Sequence, residues 1–453
     1  MSTMTMAQSV DSATWDHVGD EVLEHLRELL RLDTRNPPGN ETRAAEYLRD
    51  VLARDGIESE IVGPAPDRGS IVARIRGDGS ERPLLLMSHT DVVAVEADKW
   101  SQDPFGAAIV DGWLYGRGAL DMKHMVAMEL QTMLLLKRRK ISLKRDVIFM
   151  AAADEEVGGH AGAGWVATHR PDMIEAEYAL NEGGGNGREL NGRMYYSVQT
   201  AEKGTARFRL RTRGRPGHGS QPHEDNAILK LATQLLRLQD APLPIHLTET
   251  VKAYVRAIAL TQPEDLRDQL LAVLDPARTD EAIAALDLDD NWKRNLRSVV
   301  RNTVSPTMLQ AGSQINVIPS MAEASLDGRI LPGWTPETFR DELLLVFGDD
   351  AEIDFLEPSE PLEADPTGPM LETIKAVLAE RAPGATVVPT MLAGATDAKH
   401  VAPLGTRVYG FAPGLFSGPG EGNRVHGHDE RIAVDSLRWG VRILYEVVER
   451  FCR

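Results

Sequence analysis

The stretch LLLMSHTD, Leu84–Asp91, decides the fold. Four apolar residues in a row, closed by Ser88-His89, are too few for a helix and lack the alternation of a strand with one wet face. They read as a strand buried on both faces. DVIFMAAADEE, Asp146–Glu156, has the same form, and Tyr178–Leu180 is a shorter third strand ahead of Asn181-Glu182. Between the first two, Met122–Arg139 carries helical spacing. Strands alternating with helices make an α/β domain. In such sheets ligand crevices open beyond the carboxyl ends of the strands, which is where His89, Asp91, Glu155, Glu156 and Glu182 stand.

Towards the N-terminus, Val18, Val22, Leu26, Leu29 and Leu30 fall at helical spacing, and a second helix begins near Glu41 with Gly56 at its C-terminal cap. Past Glu202 the pattern changes. Ala206, Phe208 and Leu210 alternate with Arg207, Arg209 and Arg211, which predicts a half-buried strand with a basic outer face. A helix over 226–239, strands around 308–314 and 322–330, a helix over 336–347 and a strand over 352–356 complete an α+β unit with an antiparallel sheet. The charged stretch 263–302 reads as a helical insertion. After Pro361 the α/β pattern returns with a helix over 370–381, a strand over 407–411 and a closing helix over 432–451. The expected organisation is an α/β domain, 1–202 and 361–453, interrupted by a smaller α+β domain, 203–360.

At 453 residues the chain is too long for one compact core. With 68 acidic and 50 basic side chains, a net charge of −18, it lacks the basic excess that phosphate contacts demand, which excludes a nucleic-acid binder. Cys452 is the only cysteine, so there is no intrachain disulfide and no cysteine-built zinc site, and a reducing compartment fits. Residues 1–21 show neither a basic n-region nor an apolar h-region. Apolar runs such as Leu84–Met87 and Met133–Leu136 fall far short of the roughly 20 residues that span a bilayer. A soluble, cytoplasmic protein is expected.

Five segments could carry chemistry: His89-Thr90-Asp91; Asp121 in GRGALDMK; Asp154-Glu155-Glu156; Glu182 in NEGG; and His426-Gly427-His428-Asp429-Glu430. Singly each has a plain structural reading. A strand-end His is commonly structural, Asp121 suits the first turn of a helix, three adjacent carboxylates make an acidic surface turn, and a loop His is often a cap. Together they are oxygen and nitrogen donors at strand ends and on glycine loops. Zinc takes such donors where cysteine is absent. A cation would also relieve the repulsion within Asp154-Glu155-Glu156, with one Glu as ligand and its neighbour as general base. Five donors exceed what one tetrahedral ion needs and suit two ions sharing a carboxylate.

In this order LLLMSHTD, GRGALDMK, AAADEEVGG, NEGG, GRPGHGSQPHEDNA, GSQINVIP, GATDAK and HGHDE resemble the co-catalytic zinc amidohydrolase and peptidase family of acetylornithine deacetylase, succinyl-diaminopimelate desuccinylase, aminoacylase and bacterial glutamate carboxypeptidase. The resemblance spans nearly the whole chain. It implies a zinc-peptidase-like α/β catalytic domain carrying a ferredoxin-like lid and dimerisation domain. It implies two Zn2+ per subunit, with Co2+ or Mn2+ suited to the same donors: His89 and Glu182 on one ion, Glu156 and His426 on the other, Asp121 between them. His426 is chosen over His428 because the family ligand stands four residues before a Glu, here Glu430. Glu155 is the implied general base, Asp91 orients His89, and a cis peptide is implied at Asp121–Met122. His218 on the lid is implied to polarise the scissile carbonyl. Asn316 and Arg329 would grip the substrate's carboxylate and carbonyl, and Gly394 and Thr396 would line the same pocket. Where many members have DMKGG this chain has Asp121-Met122-Lys123-His124-Met125, and His124 is read as packing.

The implied activity is hydrolysis of the amide bond of an N-acyl amino acid or short peptide with a free carboxylate. The partners are that small substrate and a second copy of the chain, a homodimer through the lid, with neither nucleic acid nor membrane. A dipeptidase or carboxypeptidase is the alternative to a deacylase. A catalytically silent binding module would show a missing ligand or base. A di-metal phosphoesterase would present more cationic groups at the site.

Overall fold

The computed structural model describes residues 12–240, 242–349, 351–416, 418 and 424–453. Residues 1–11 lie outside these, and with them half of the stretch expected to carry no signal peptide. Among the described residues no helix is long and apolar enough to cross a membrane. The chain forms two units. The first runs to Val198 and takes up again at Thr367–Val387 and Thr396–Arg453; the second holds Gln199–Pro366 and Val388–Ala395.

In the first unit the strands Val147–Ala152, Leu84–His89, Tyr178–Asn181 and Arg407–Gly410 are neighbours and run parallel. Leu84 sits opposite Val147 and Tyr178, and His89 opposite Ala152. Ser70–Ile75 joins antiparallel beside Val147–Ala152, and Ser59–Val62 antiparallel beyond it. Every residue of Leu84–His89 and Val147–Ala152 is buried because both sheet faces are covered. Leu85, Met87, Ile148 and Met150 pack with Ala163, Val166 and Val401 on one face. On the other face Ser88 hydrogen-bonds Glu129 of the helix Lys123–Arg138. That helix packs with Ser12–Arg31 and Val434–Cys452, and Val22, Leu26 and Leu29 are fully buried at the spacing read from sequence. The parallel strands thus deliver His89, Asp154–Glu156 and Glu182 to a single edge of the sheet.

The second unit has the order strand Phe208–Arg213, helix Ala227–Asp240, strand Thr303–Ala311, strand Met321–Ile330, helix Pro336–Phe347, strand Glu352–Phe355. Met321–Ile330 lies between Thr303–Ala311 and Phe208–Arg213, and Glu352–Phe355 pairs the far side of Phe208–Arg213, all antiparallel. This is a split βαβ arrangement, cored by Phe208, Leu210, Leu326, Phe339 and Phe347. The basic strand is therefore central. Arg211 meets Glu323 and Asp354, Arg213 meets Glu352, and Arg207 approaches Asp327, so the basic face is matched by acidic neighbours on the flanking strands.

Three expectations are corrected. The helical insertion is longer than 263–302: it begins with Glu249–Ala259, whose first turn Thr248 caps by accepting from the Val251 amide, and continues through Glu264–Ala272, Thr279–Ala285 and Asp290–Val299. A strand absent from the sequence reading, Thr386–Leu392, pairs with Arg193–Glu202, and the Lys203 amide donates to the Leu392 carbonyl at 3.0 Å. Pro389 within it argues against a strand in sequence. Leu362–Glu363 pairs with Glu202 and Ala201 of the strand Arg193–Glu202, and 361–366 and 388–395 count with the second unit rather than with the α/β domain.

Candidate active site

His89 ends its strand with 2% of its side chain exposed. Its Nδ1 lies 3.0 Å from the Asp91 carbonyl oxygen, which can only accept, so Nδ1 carries a proton and Nε2 is the nitrogen left to meet the carboxylates. His89 Nε2 lies 3.1 Å from Asp121 Oδ1 and 4.0 Å from Glu182 Oε2. The second Asp121 oxygen is 3.0 Å from His426 Nε2, which is 3.1 Å from Glu156 Oε2. Asp121 therefore stands between two donor sets, His89 with Glu182 and His426 with Glu156. The peptide Asp121–Met122 is cis. His428 turns away to Glu96 at 3.0 Å and is exposed, so of the two loop histidines only His426 joins the cluster.

The electrostatics call for a cation. Asp121, Glu155, Glu156 and Glu182 crowd round two imidazoles. Burial raises the Glu155 carboxyl to about 8, with Asp397 and Glu156 adding to the rise against His89. Burial also raises Glu182, with Glu155 and Asp121 beside it. Hydrogen bonds to Asp121 and Glu156 lift His426 to about 10. Burial opposes ionisation of Asp121, yet the bonds from His426 and His89 outweigh it and hold that carboxyl low. Glu156 Oε1 is buried without a hydrogen-bond partner among the described residues. His89, Asp121 and Glu156, and again His89, Glu155 and Glu182, bring one donor atom each within 4.8 Å of one another. These oxygen and imidazole donors fit divalent cations of the zinc type.

The support is built as closely as the donors. Asp91, fully buried, accepts from the amides of Glu155 and Glu156, both at 3.1 Å, and from Asn36 Nδ2 at 2.9 Å. The same Asn36 nitrogen donates to Asp154 at 3.1 Å. Asp154 also meets Arg68 and the Ala161 amide, which commits it to the framework. Glu430 accepts from the amides of Leu120 and Asp121 and pairs with Arg117. His124 is buried on its helix, and burial depresses it to about 4, in keeping with packing. Asn36 and Arg68 are absent from the sequence reading, and Arg117 stands there within GRGALDMK without a role. The Asn-Pro-Pro-Gly run at 36–39 signals a turn, and nothing local links it to Asp154.

The remaining residues divide by unit. Thr396 is 3% exposed, and its hydroxyl accepts from Asn181 Nδ2 at 2.9 Å and from the Ala398 amide at 3.1 Å. Its hydroxyl thus ties the start of 396–400 to the strand that ends at Asn181. Gly394 belongs to the second unit, as do His218, Asn316 and Arg329. There His218 pairs with Val317 across a two-stranded ribbon, and the Gly219 amide donates to the Asn316 carbonyl at 2.7 Å, so His218 and Asn316 come together and both are exposed. The Ser220 amide donates to His218 Nδ1 at 3.2 Å, which leaves the proton of the neutral ring on Nε2. Arg329 grips Asp327 through Nε at 2.6 Å and Nη2 at 3.2 Å.

The sequence pattern described as peptidase family M20/M25/M40 matches residues 85–450. The chain is 29% identical to the N-fatty-acyl-amino acid synthase/hydrolase PM20D1 of Mus musculus, over 89% of this chain and 81% of that one. It is 26% identical to aminoacylase-1 of Sus scrofa over 93% of each. Its fold is similar to the M20 metallo-carboxypeptidase Sso-CP2 from Sulfolobus solfataricus, with a TM-score of 0.71 at 19% identity over 95% of this chain and 99% of that chain.

Proposed function

Because the chain belongs to the peptidase family M20/M25/M40 and is a metal-dependent hydrolase of amide bonds, we propose that its centre is formed by His89, Asp121, Glu156, Glu182 and His426 with Glu155 as general base. The substrate is an N-acyl amino acid or short peptide with a free carboxylate. The observation that carries this is the convergence of Glu155 with both donor sets about the two oxygens of Asp121. The set lacks neither a ligand nor a base, which a silent binding module would.

Two cations held there, zinc in the first instance, would supply Lewis acidity to polarise the amide carbonyl and acidify the attacking water. Glu155 takes the proton of that water as the C–O bond forms and passes it to the leaving amine as the C–N bond breaks. His218 donates a hydrogen bond from Nε2 to the developing oxyanion and keeps its proton, a role supported by the tautomer that the Ser220 amide imposes. Arg329 and Asn316 hold the substrate carboxylate. Asp327 orients the Arg329 guanidinium and leaves Nη1 without a hydrogen bond among the described residues.

The lid reading of the second unit, with a homodimer through it, is supported by an apolar edge. Among the described residues Thr303–Ala311 pairs on one side only, to Met321–Ile330, and Met308, Leu309 and Ile315 are exposed, as are Leu229 and Leu236 on the helix Ala227–Asp240.

The test is amine release from N-acetyl, N-succinyl and longer N-acyl amino acids and from dipeptides by zinc-loaded protein, with Glu155→Gln as comparison. Release lost in a variant that retains both metals is the expected result. Normal turnover by Glu155→Gln would show that another group is the base.

A further inference from the structure

The Glu155 carboxylate makes no hydrogen bond of its own among the described residues, so the turn that carries it sets its direction. That turn is closed by the Gly158 amide donating to the Glu155 carbonyl at 2.9 Å and the Gly159 amide to the Asp154 carbonyl at 2.7 Å. Asp91 holds its start through the Glu155 and Glu156 amides. Its end is held by a side chain to which nothing so far assigns a role: His400 Nε2 lies 2.8 Å from the Gly158 carbonyl oxygen. A carbonyl only accepts, so His400 is the donor.

We infer that His400 is a positioning residue for the reaction, fixing the end of the Glu155 turn whose start Asp91 holds. The inference rests on the reading of Glu155 as base. The packing leaves the turn no slack. A Cβ at Gly159 would fall 2.0 Å from Asp397 Oδ1 and 2.9 Å from His400 Nε2. A Cβ at Gly164 would fall 3.0 Å from His400 Nδ1, so the ring is wedged between the turn and the following helix Ala163–His169. His160 covers it edge-on, with ring centroids 5.5 Å apart. Four residues before His400, Thr396 accepts from Asn181, the neighbour of Glu182. The segment 396–400 thus grips one donor loop at Asn181 and the other at Gly158, and holds base and ligand in a common frame.

The test compares His400→Phe, which keeps a ring and loses the donor, with His400→Gln, whose amide nitrogen reaches about as far as Nε2. Metal-loaded full-length protein is assayed for kcat, KM, metal content and Tm. A displaced base lowers kcat by about 10–100-fold while KM stays within about threefold. We expect that loss in His400→Phe with both metals retained, and recovery to within about threefold of wild type in His400→Gln. A wild-type kcat in His400→Phe, or equal losses in both variants at equal Tm, would overturn the inference. If His400→Phe does not fold, His400→Asn, whose amide stops one bond short, replaces it; kcat equal to that of His400→Gln would again overturn the role. Glu155→Gln run alongside separates the failures. Wild-type turnover there removes the base reading itself, whereas a silent Glu155→Gln with a fully active His400→Phe removes only the positioning role.

Discussion

Removal of the Glu430 carboxylate most directly probes how the centre is held. Glu430 is fully buried, accepts from the amides of Leu120 at 2.7 Å and Asp121 at 3.1 Å, and pairs with Arg117. Arg117 Nη2 in turn donates to the Gly427 carbonyl at 3.0 Å. One carboxylate therefore anchors the backbone of Asp121 and, through Arg117, the loop that carries His426. Glu430→Ala leaves Arg117, 2% exposed, without a counter-charge and two amides without an acceptor. Breaking a buried pair from one side costs about 3–5 kcal/mol. The intact pair is worth less than that, because burial lifts the Glu430 carboxyl above its ordinary value against the pull of Arg117. Arg117→Met with Glu430→Gln removes both charges and keeps an acceptor for the amides, so the double variant should recover at least about 2 kcal/mol over Glu430→Ala. Urea and thermal unfolding would be followed by far-UV circular dichroism in excess chelator, so that cation binding does not add to the stability. At roughly 2–4 °C per kcal/mol for a domain of this size, Glu430→Ala should lower the transition by about 10 °C. A loss below about 1 kcal/mol, or a double variant no more stable than the single one, would refute the reasoning.

Asn36→Ala withdraws the amide shared by Asp91 and Asp154; it should cost about 1–3 kcal/mol and weaken metal retention against a chelator by about tenfold. Asn36→Asp should be worse in both measurements, since it adds a third carboxylate, and wild-type behaviour of that variant would contradict the assignment. In the chelated protein Glu155 near 8, Asp397 near 7 and His426 near 10 all bind protons more tightly folded than unfolded. The folded state then holds the extra protons, so stability is present at low pH and lost as pH rises through 7–10. The Tm of the chelated protein should fall between pH 6 and 9, and metal loading should abolish that fall, because the cation takes the place of the protons. In the second unit Lys203 donates to the carbonyls of Ser298 and Arg301 and to Thr303 Oγ1 at 2.8–2.9 Å. Lys203→Met should cost about 2–4 kcal/mol by urea unfolding. Burial pushes Lys203 down to about 7, so the folded state binds fewer protons than the unfolded one above that value. Stability of this unit should rise with pH above 7, and the rise should be absent in Lys203→Met.

The buried strands and the donors at their ends are legible in the chain because both follow from local pattern. Leu84–Met87 and Val147–Ala153 are apolar without interruption only because helices cover both faces of their sheet, and His89, Glu155, Glu156 and Glu182 fall just past such runs. The order of the motifs adds Asp121 and His426. Strands broken by a weak former, such as Thr386–Leu392 with its Pro389, carry no such pattern, whereas the helix Glu249–Ala259, missed in the sequence reading, does carry one in Val251, Val255, Ile258 and Ala259 behind its capping Thr248. The supports of the site are equally silent in sequence. Asn36 reaches Asp91 and Asp154 across separations of 55 and 118 residues, and His400 reaches Gly158 across 242. Periodicity reports which face a residue presents, whereas such partners are chosen by the order of strands in the sheet. For the same reason Thr396 turns inward to Asn181, 215 residues away. The amino-acid pattern names the groups that can do the chemistry; the packing of distant segments settles what holds each of them in place.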